Sequence, residues 1–381
     1  MIREMTRDTA RTWAEISLGN LEHNYWALRA CAPDSKFLAT VKANAYGHGA
    51  VTVARYLAEE LGVDYLAVAC LDEAVQLRQA GISAPILILG YTHPALAREA
   101  VALDVTQTVF TPELAQALSE AAGAAGKRAK IHLKVDTGMS RLGVLDHDPE
   151  RAAAEIAALC ALPHLKPEGI FTHFADADGD EDYTMLQFTR FLDLLAELEG
   201  TYGQTFEIRH CAASAAVLNY PCTHMDMVRP GIALYGHYPD PSCEGLDGPG
   251  LKPVMSLYSR VAAVRDFPAH TPVSYGCTAC LGGDGGRLAV LPIGYADGFH
   301  RALSNESGVW LGGECLQIVG RVCMDMCMIG LPPSSGVRPG DVAEVFGPHL
   351  PVEHHAELAG TISYELLCAV APRVPRIYID A

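Results

Sequence analysis

Short apolar runs alternate with longer segments of helical period along the first two-thirds of the chain. The runs fall at 37–41, 65–70, 85–90, 105–110, 130–135, 168–172, 206–210 and 225–228. Between most of them lie Ala/Leu/Glu-rich stretches, at 50–61, 72–80, 112–125, 149–162 and 183–199, whose apolar positions recur at helical spacing. Eight strands alternating with helices predict an α/β architecture, a (β/α)8 TIM-type barrel over residues 18–240. An open doubly wound sheet is the structural competitor. It would favour a G-x-G-x-x-G loop after the first strand, and none stands there.

After Tyr238 the texture changes. Pro239, Asp240 and Pro241, then the Gly/Pro-rich segment 245–250, read as a linker. Beyond it, short alternating runs at 255–264, 288–293, 317–323, 342–346 and 376–379 are punctuated by Gly and Pro. Helical period is nearly absent until 354–359. Residues 241–381 are therefore expected to form a mostly β domain. The segment 12–17 is also strand-like and precedes a helix whose Leu18, Leu21, Tyr25 and Leu28 share one face. Residues 1–17 are expected to join the β domain. No repeat or low-complexity tract interrupts the pattern.

Length and composition agree with two domains. At 381 residues the chain exceeds a usual single core, and 50% hydrophobic against 19% charged residues is ample for a large interior. A net charge of −17 argues against nucleic acid or an anionic membrane as partner. No apolar run approaches the ~20 residues of a membrane span, and Met1-Ile2-Arg3-Glu4 lacks a signal-peptide core, so a soluble cytoplasmic protein is expected. The 12 cysteines are scattered. Cys277 and Cys280 have two residues between them but no second pair downstream, so buried free thiols are expected and no metal site.

Chemistry in an α/β barrel sits at the C-terminal ends of the strands. The first predicted strand runs into Lys42, in the segment Val41-Lys42-Ala43-Asn44-Ala45-Tyr46-Gly47-His48-Gly49. A lysine at the end of a buried strand needs a counter-charge or a reaction. A desolvated amine can condense with an aldehyde such as that of pyridoxal phosphate. Taken alone, Lys42 reads better as a strand-capping surface lysine. The fifth strand gives Lys134 and Asp136, followed by Gly138, Met139 and Arg141; the sixth ends at His173, the seventh leads to Ser214, and the eighth ends at Arg229-Pro230-Gly231-Ile232. Each has a plainer reading: His173 as a core histidine, Arg229 as a structural ion pair, Ser214 as a helix N-cap. Yet Lys, His and Arg all fall just past buried runs, which suits an active site better than a solvated rim. The helix start near Ser214 and the backbone at Gly231 lie where barrels bind phosphate. In the second domain, Ser274-Tyr275-Gly276 offers a candidate catalytic phenol, but spacing alone does not single out one tyrosine.

These segments together resemble the alanine racemase family, pyridoxal-phosphate enzymes of fold type III. The resemblance runs from about Thr12 to Tyr378. It is carried by the Lys42 segment, by 134–143, by Thr172-His173-Phe174, and by Met227-Val228-Arg229-Pro230-Gly231-Ile232. In the β domain it continues through Ser274-Tyr275-Gly276, Gly294-Tyr295-Ala296-Asp297-Gly298, Val322-Cys323-Met324-Asp325 and Ile362-Ser363-Tyr364-Glu365. It implies interconversion of L- and D-alanine by two bases on opposite faces of the α-carbon. Lys42 would be one base and hold pyridoxal 5'-phosphate as a Schiff base; Tyr275 of the partner subunit would be the other. Arg229 would face the pyridine nitrogen, and His173 would bridge Arg229 and Tyr275. Tyr46, Ser214, Gly231, Ile232 and Tyr364 would bind the phosphate. Arg141 and Met324 would hold the substrate carboxylate, and Tyr295 would line the entrance. Lys134 matches a position often carbamylated in the family. The resemblance further implies a homodimer with shared active sites, acting on a small amino acid and supplying D-alanine for peptidoglycan. One departure is Ala213, where many relatives carry asparagine before the serine. A serine or broad-specificity racemase is the alternative; a pyridoxal-phosphate carrier without turnover and a fold-type III decarboxylase rank below it.

Overall fold

Eight parallel strands run in chain order through one sheet of the computed structural model, which describes residues 5–146, 148–245 and 248–380. They are Lys36–Thr40, Tyr65–Val68, Ile86–Ile88, Thr106–Val109, Ala129–Asp136, Leu165–Phe171, Ile208–His210 and Met227–Val228. The last pairs with the first, Met227 beside Lys36 and Val228 beside Phe37. A bridge between Ala213 and Arg229 joins the remaining seam, with the Arg229 N–H donating to the Ala212 carbonyl at 2.9 Å. The result is the nearly closed TIM-like barrel that the alternation predicts.

Most strand residues are buried on both faces, which is why these strands read as near-continuous apolar runs. Outer helices begin where a polar side chain satisfies an orphan N–H. Thr111, Asp148 and Asp180 accept from Leu114, Arg151 and Tyr183 at 3.4, 3.2 and 2.9 Å, and open Pro112–Ala124, Pro149–Cys160 and Glu181–Tyr202. Two details differ from expectation. The helix predicted at 50–61 is Ala50–Arg55 followed by a π-turn, Tyr56–Glu60. A short helix, Ala97–Ala102, was not predicted, because six residues cannot show a period.

The chain divides into two units: Glu22–Ala45 with Ala50–Lys252, and Met1–Leu21 with Tyr46–Gly49 and Pro253–Ala381. The second is built on a six-stranded sheet in the order Glu314–Gln317, Gly308–Leu311, Val342–Phe346, Met255–Arg260, Thr12–Ser17, Arg376–Ile379. Thr12–Ser17 runs antiparallel to Met255–Arg260 and parallel to Arg376–Ile379. A smaller sheet pairs Ala263–Phe267, Gly286–Leu291 and Cys327–Leu331.

The run at 255–264 is thus two strands belonging to different sheets. The strand expected at 317–323 is a correction: the strand is Glu314–Gln317, and most of 318–323 is loop. Gly312 and Gly313, at φ +68° and +93°, turn a hairpin from Gly308–Leu311 that the pattern did not show. A helix over Ser363–Ala369 was also unanticipated. Of the expected linker, Leu246 and Asp247 lie outside the described residues, as do Met1 to Glu4. Among the described residues no helix is long and apolar enough to cross a membrane.

The cysteines require a further correction. All 12 are free, but Cys222, Cys277, Cys280, Cys315 and Cys368 are exposed rather than buried. Cys277 and Cys280 sit on a tight turn and a two-residue edge strand, where no core is available to cover them.

Candidate active site

Lys42 follows the first barrel strand and is half-buried. The four residues after it, Ala43, Asn44, Ala45 and Tyr46, have φ between +51° and +56°, a left-handed turn. Each such non-glycine residue costs roughly 1–2 kcal/mol, so the surroundings must impose the turn. Within the barrel unit, Glu73 accepts from the N–H groups of Ala43 at 2.6 Å and Ala69 at 2.7 Å, and Asn44 Oδ1 takes the Ala50 N–H at 2.8 Å.

Past the last strand, the Arg229 side chain is fully buried. Its Nη2 donates to the carbonyls of Thr172 at 3.0 Å and Cys211 at 3.1 Å, and lies 3.3 Å from His173 Nδ1. Its Nη1 donates to His210 Nδ1 at 2.8 Å. No carboxylate contacts Arg229 among the described residues, so the structural ion pair considered from sequence is absent. Burial pushes its pKa down to about 10, which leaves it charged at neutral pH.

His173 is held neutral, first by burial and then by the charges of Arg229, Lys134, Arg141 and Lys42. Because arginine only donates, His173 Nδ1 must accept, and its proton sits on Nε2. Lys134 is likewise far below its usual range, through burial and then Arg229 and Arg141. Its side-chain nitrogen lies 4.6 Å from the centre of the Phe171 ring, over which Arg229 also lies at 5.2 Å. Asp136 shapes the next loop by accepting the N–H groups of Gly138, Ser140 and Arg141 at 3.0, 3.0 and 2.8 Å. Burial alone would raise its pKa; those donors and Lys134 outweigh it and hold the carboxyl low. The Arg141 side chain is exposed.

Ser214 is not an N-cap, since the helix Ser214–Asn219 starts on it and Ala213 takes the cap position. Its hydroxyl instead accepts from the N–H groups of Gly231 at 2.9 Å and Ala233 at 3.2 Å, tying the seventh and eighth strand loops together beside Ile232.

The β unit carries its own group. Tyr46 is buried, its phenol pushed above the usual value by burial and then by Cys368, and its ring centroid is 6.1 Å from that of Tyr364. Gly47 is required beside it: at φ +85°, a Cβ would lie 2.1 Å from the Leu367 carbonyl oxygen. Tyr275 is 71% exposed on a turn bordering a cavity of about 490 Å³ lined by Phe267, Val273, Leu288, Cys323 and Met328. Tyr295 and Met324 are brought together by backbone bonds, Tyr295 N–H to Cys323 O and Ala296 N–H to Met324 O, both 3.0 Å. A buried Asp297 fastens this corner. It accepts from Arg11 Nη2 at 2.7 Å, Arg373 Nε at 2.8 Å and Gly294 N–H at 3.0 Å, while Arg373 also reaches Asp325 at 2.7 Å.

Sequence reading missed the supporting residues Phe171, His210, His132, Glu168, Arg11 and Arg373. The detectable signal was polar residues inside apolar strands, His132, Glu168 and His210 among them.

The chain matches the alanine racemase N-terminal domain over residues 16–239 and the alanine racemase C-terminal domain over 254–378. It is 47% identical over 372 residues to an alanine racemase of Desulforamulus reducens, covering 96% of this chain and 98% of that one. An alanine racemase of Methanococcus maripaludis is 45% identical over 374 residues, covering 96% and 98%. Among solved structures, the Clostridium difficile alanine racemase superposes with a TM-score of 0.93 at 38% identity, covering 97% and 96%. That of Bacillus anthracis, with bound L-Ala-P, gives 0.91 at 35%, covering 99% and 96%. By sequence and fold alike, this chain belongs to the alanine racemases, isomerases that act on amino acids.

Proposed function

We propose that this protein racemises alanine with pyridoxal 5'-phosphate held at Lys42. The observation that supports this most is a primary amine at the end of the first barrel strand, with a buried guanidinium lacking any carboxylate past the last. The residues present suit the cofactor. Arg229 offers a permanent donor to a ring nitrogen, and the Ser214 hydroxyl, which accepts from the Gly231 and Ala233 N–H groups, keeps its own O–H to donate to a phosphate beside Gly231 and Ile232. In the β unit, Tyr46 and Tyr364, with ring centroids 6.1 Å apart, carry two phenols of the kind that bind a phosphate. Bound there, pyridoxal phosphate would supply an electron sink that acidifies the substrate α-carbon.

The protein's own groups then move protons. Lys42 takes or gives the α-proton on one face, and Tyr275 of a second copy on the other, so that neither group has to cross the substrate plane. Arg229 stays protonated and positions the ring. His173, with its proton fixed on Nε2, presents that N–H to the phenol. Arg141 and the Met324 backbone hold the carboxylate, and Tyr295 guards the approach. Lys134, its pKa pushed well down by burial, can attack CO2 through its unprotonated amine nitrogen, forming an N–C bond and releasing a proton; the resulting carbamate would orient Arg141.

A homodimer with shared sites follows from the need for Tyr275 in trans. Twelve free thiols suit the reducing cytoplasm, where D-alanine for peptidoglycan would be made. Chiral chromatography of L-alanine and L-serine incubated separately with protein and pyridoxal phosphate tests the reading. Rapid equilibration of alanine, slow change of serine and none with Lys42→Ala supports it. Faster turnover of serine would move the assignment to a serine racemase, and no turnover of alanine would overturn it.

A further inference from the structure

Arg229 poses a physical problem that its immediate contacts do not solve. It is a fully buried cation whose acceptors are two carbonyls and two imidazoles, all neutral, and a buried charge without compensation is costly. The contact to His210 leads to an answer. His210 Nε2 lies 2.8 Å from His132 Nδ1, and His132 Nε2 lies 3.7 Å from Glu168 Oε2. Both rings are completely buried, and Phe171 stacks on His210 with centroids 4.7 Å apart and planes 8° from parallel, which fixes the imidazole plane. Glu168 is held in place by the Tyr65 hydroxyl at 3.0 Å and Lys166 Nζ at 3.1 Å. The line thus runs from the C-terminal end of the barrel strands, inward past His210 and His132, to a buried carboxylate.

The direction of every proton on this line is determined. Arginine has no acceptor, so Arg229 Nη1 donates and His210 Nδ1 accepts. A neutral His210 then carries its proton on Nε2 and donates to His132 Nδ1. His132 in turn carries its proton on Nε2, pointed at Glu168. Both histidines are kept neutral by burial, and Glu168 is held ionised, at about 2, by His132 first and then by Lys166 and Tyr65 against the effect of burial. The last gap is slightly long for a direct hydrogen bond, and His132 Nε2 has no other partner. A small side-chain rotation or one bridging water closes it.

We propose that His210, His132 and Glu168 are positioning residues for Arg229: a one-directional chain of donors that fixes the guanidinium plane and gives it a counter-charge two imidazole rings away. The distance matters. A carboxylate in direct contact would form an ordinary ion pair and occupy the N–H groups that should face the cofactor. A carboxylate relayed through two polarised rings stabilises the cation while leaving those donors free. The benefit to catalysis rests on the reading that Arg229 faces the pyridine nitrogen, whereas the relay itself is a property of the folded barrel.

The first test needs no variant. In protein labelled with 15N-histidine and loaded with pyridoxal phosphate, long-range 1H–15N NMR should show His210 and His132 both neutral and protonated on Nε2 at neutral pH. Either ring protonated on Nδ1, or on both nitrogens, overturns the relay. The second test is Glu168→Gln, which keeps an acceptor but removes the charge. Its kcat should fall about tenfold, the scale seen when groups that orient a site's first-contact residues are altered, with KM for alanine unchanged. The bound-cofactor absorbance band should shift, and the His210 15N resonances should move although residue 168 does not touch that ring. An unchanged kcat and unmoved His210 resonances would overturn the proposal. If the unmodified protein failed to racemise alanine, the functional reading would fall, while its histidine tautomers would still decide the relay.

Discussion

The two units hold their functional groups in opposite ways. In the barrel, Lys134, His210 and Arg229 are buried and His173 is half-buried; Arg229 is hydrogen-bonded to both histidines, and all four are displaced from their ordinary ionisation. In the β unit, Tyr275, Tyr295 and Met324 are 71%, 44% and 53% exposed, and the backbone around Tyr295 and Met324 is fastened by the Cys323 and Met324 carbonyls, Gly294 and the Asp297 ion pairs. A buried set is tuned by its own fold. An exposed set is shaped but unfinished, which suits the roles proposed for it in the site of a second copy.

The sharpest way to break this contrast is to remove one proposed base from each side. Lys42→Ala should lower racemisation by on the order of 10³-fold or more and abolish the bound-cofactor absorbance band. Tyr275→Phe should leave the melting temperature unchanged, because the side chain is exposed, yet cut turnover by roughly 10²–10³-fold. In Tyr275→Phe, deuterium exchange at the α-carbon should be lost far more from L-alanine than from D-alanine. Equal loss from both enantiomers would end the two-base assignment.

Next in size is the pH response. His132, His173 and His210 have native pKa values below their unfolded value of about 6.5, so below that pH the unfolded state binds more protons. Stability should therefore fall on acidification from pH 7 to 5, by up to about 1.4 kcal/mol per pH unit for each histidine, as read by urea titration. Glu168 works in the same sense over a lower window, its contribution lost as pH falls from the ordinary carboxylate range toward about 2. In the β unit His355, bonded to Ser307 and the Val345 carbonyl, is shifted the same way. Hydrogen exchange should show the barrel loosening first in acid.

Smaller effects probe the scaffolds. Asp297→Ala strands two half-exposed arginines and the Gly294 N–H, and should cost about 2 kcal/mol in urea unfolding, below the figure for fully buried pairs because water can reach both guanidinia. At Ala43, exposed and at φ +52°, Ala43→Gly should stabilise by up to about 1 kcal/mol, the relief of left-handed strain exceeding the added unfolded-state entropy.

Much of this was legible in the chain. The eight barrel strands were visible because parallel strands are buried on both faces and so read as unbroken apolar runs. Lys42, Arg229 and His173 stood out because charge or imidazole followed directly on such runs. The left-handed turn was hidden, since Ala43 and Ala45 carry no sign of positive φ; surrounding hydrogen bonds impose it. His132, Glu168 and His210 were hidden for another reason. Each looked like an ordinary interruption of a strand, and only the curling of the sheet brings residues 78 positions apart into one line. In the β unit, the 317–323 reading failed because a loop that packs against neighbours is as apolar as a strand.

Arg229 also has a second position in the molecule: its backbone N–H is the stitch between the last two strands, in a barrel whose final strand must return to pair with a segment near the start of the chain. Such a closure spans about 190 residues and is entropically the most expensive contact in the barrel to make. The positive charge of the site is therefore placed by the same event that shuts the ring. A chain with an open seam has Lys42 but no buried guanidinium, so on the proposed reading the capacity to seat an anionic cofactor would arrive only with completed folding. In this architecture, ligand capture works as an inspection step that a half-wound chain fails.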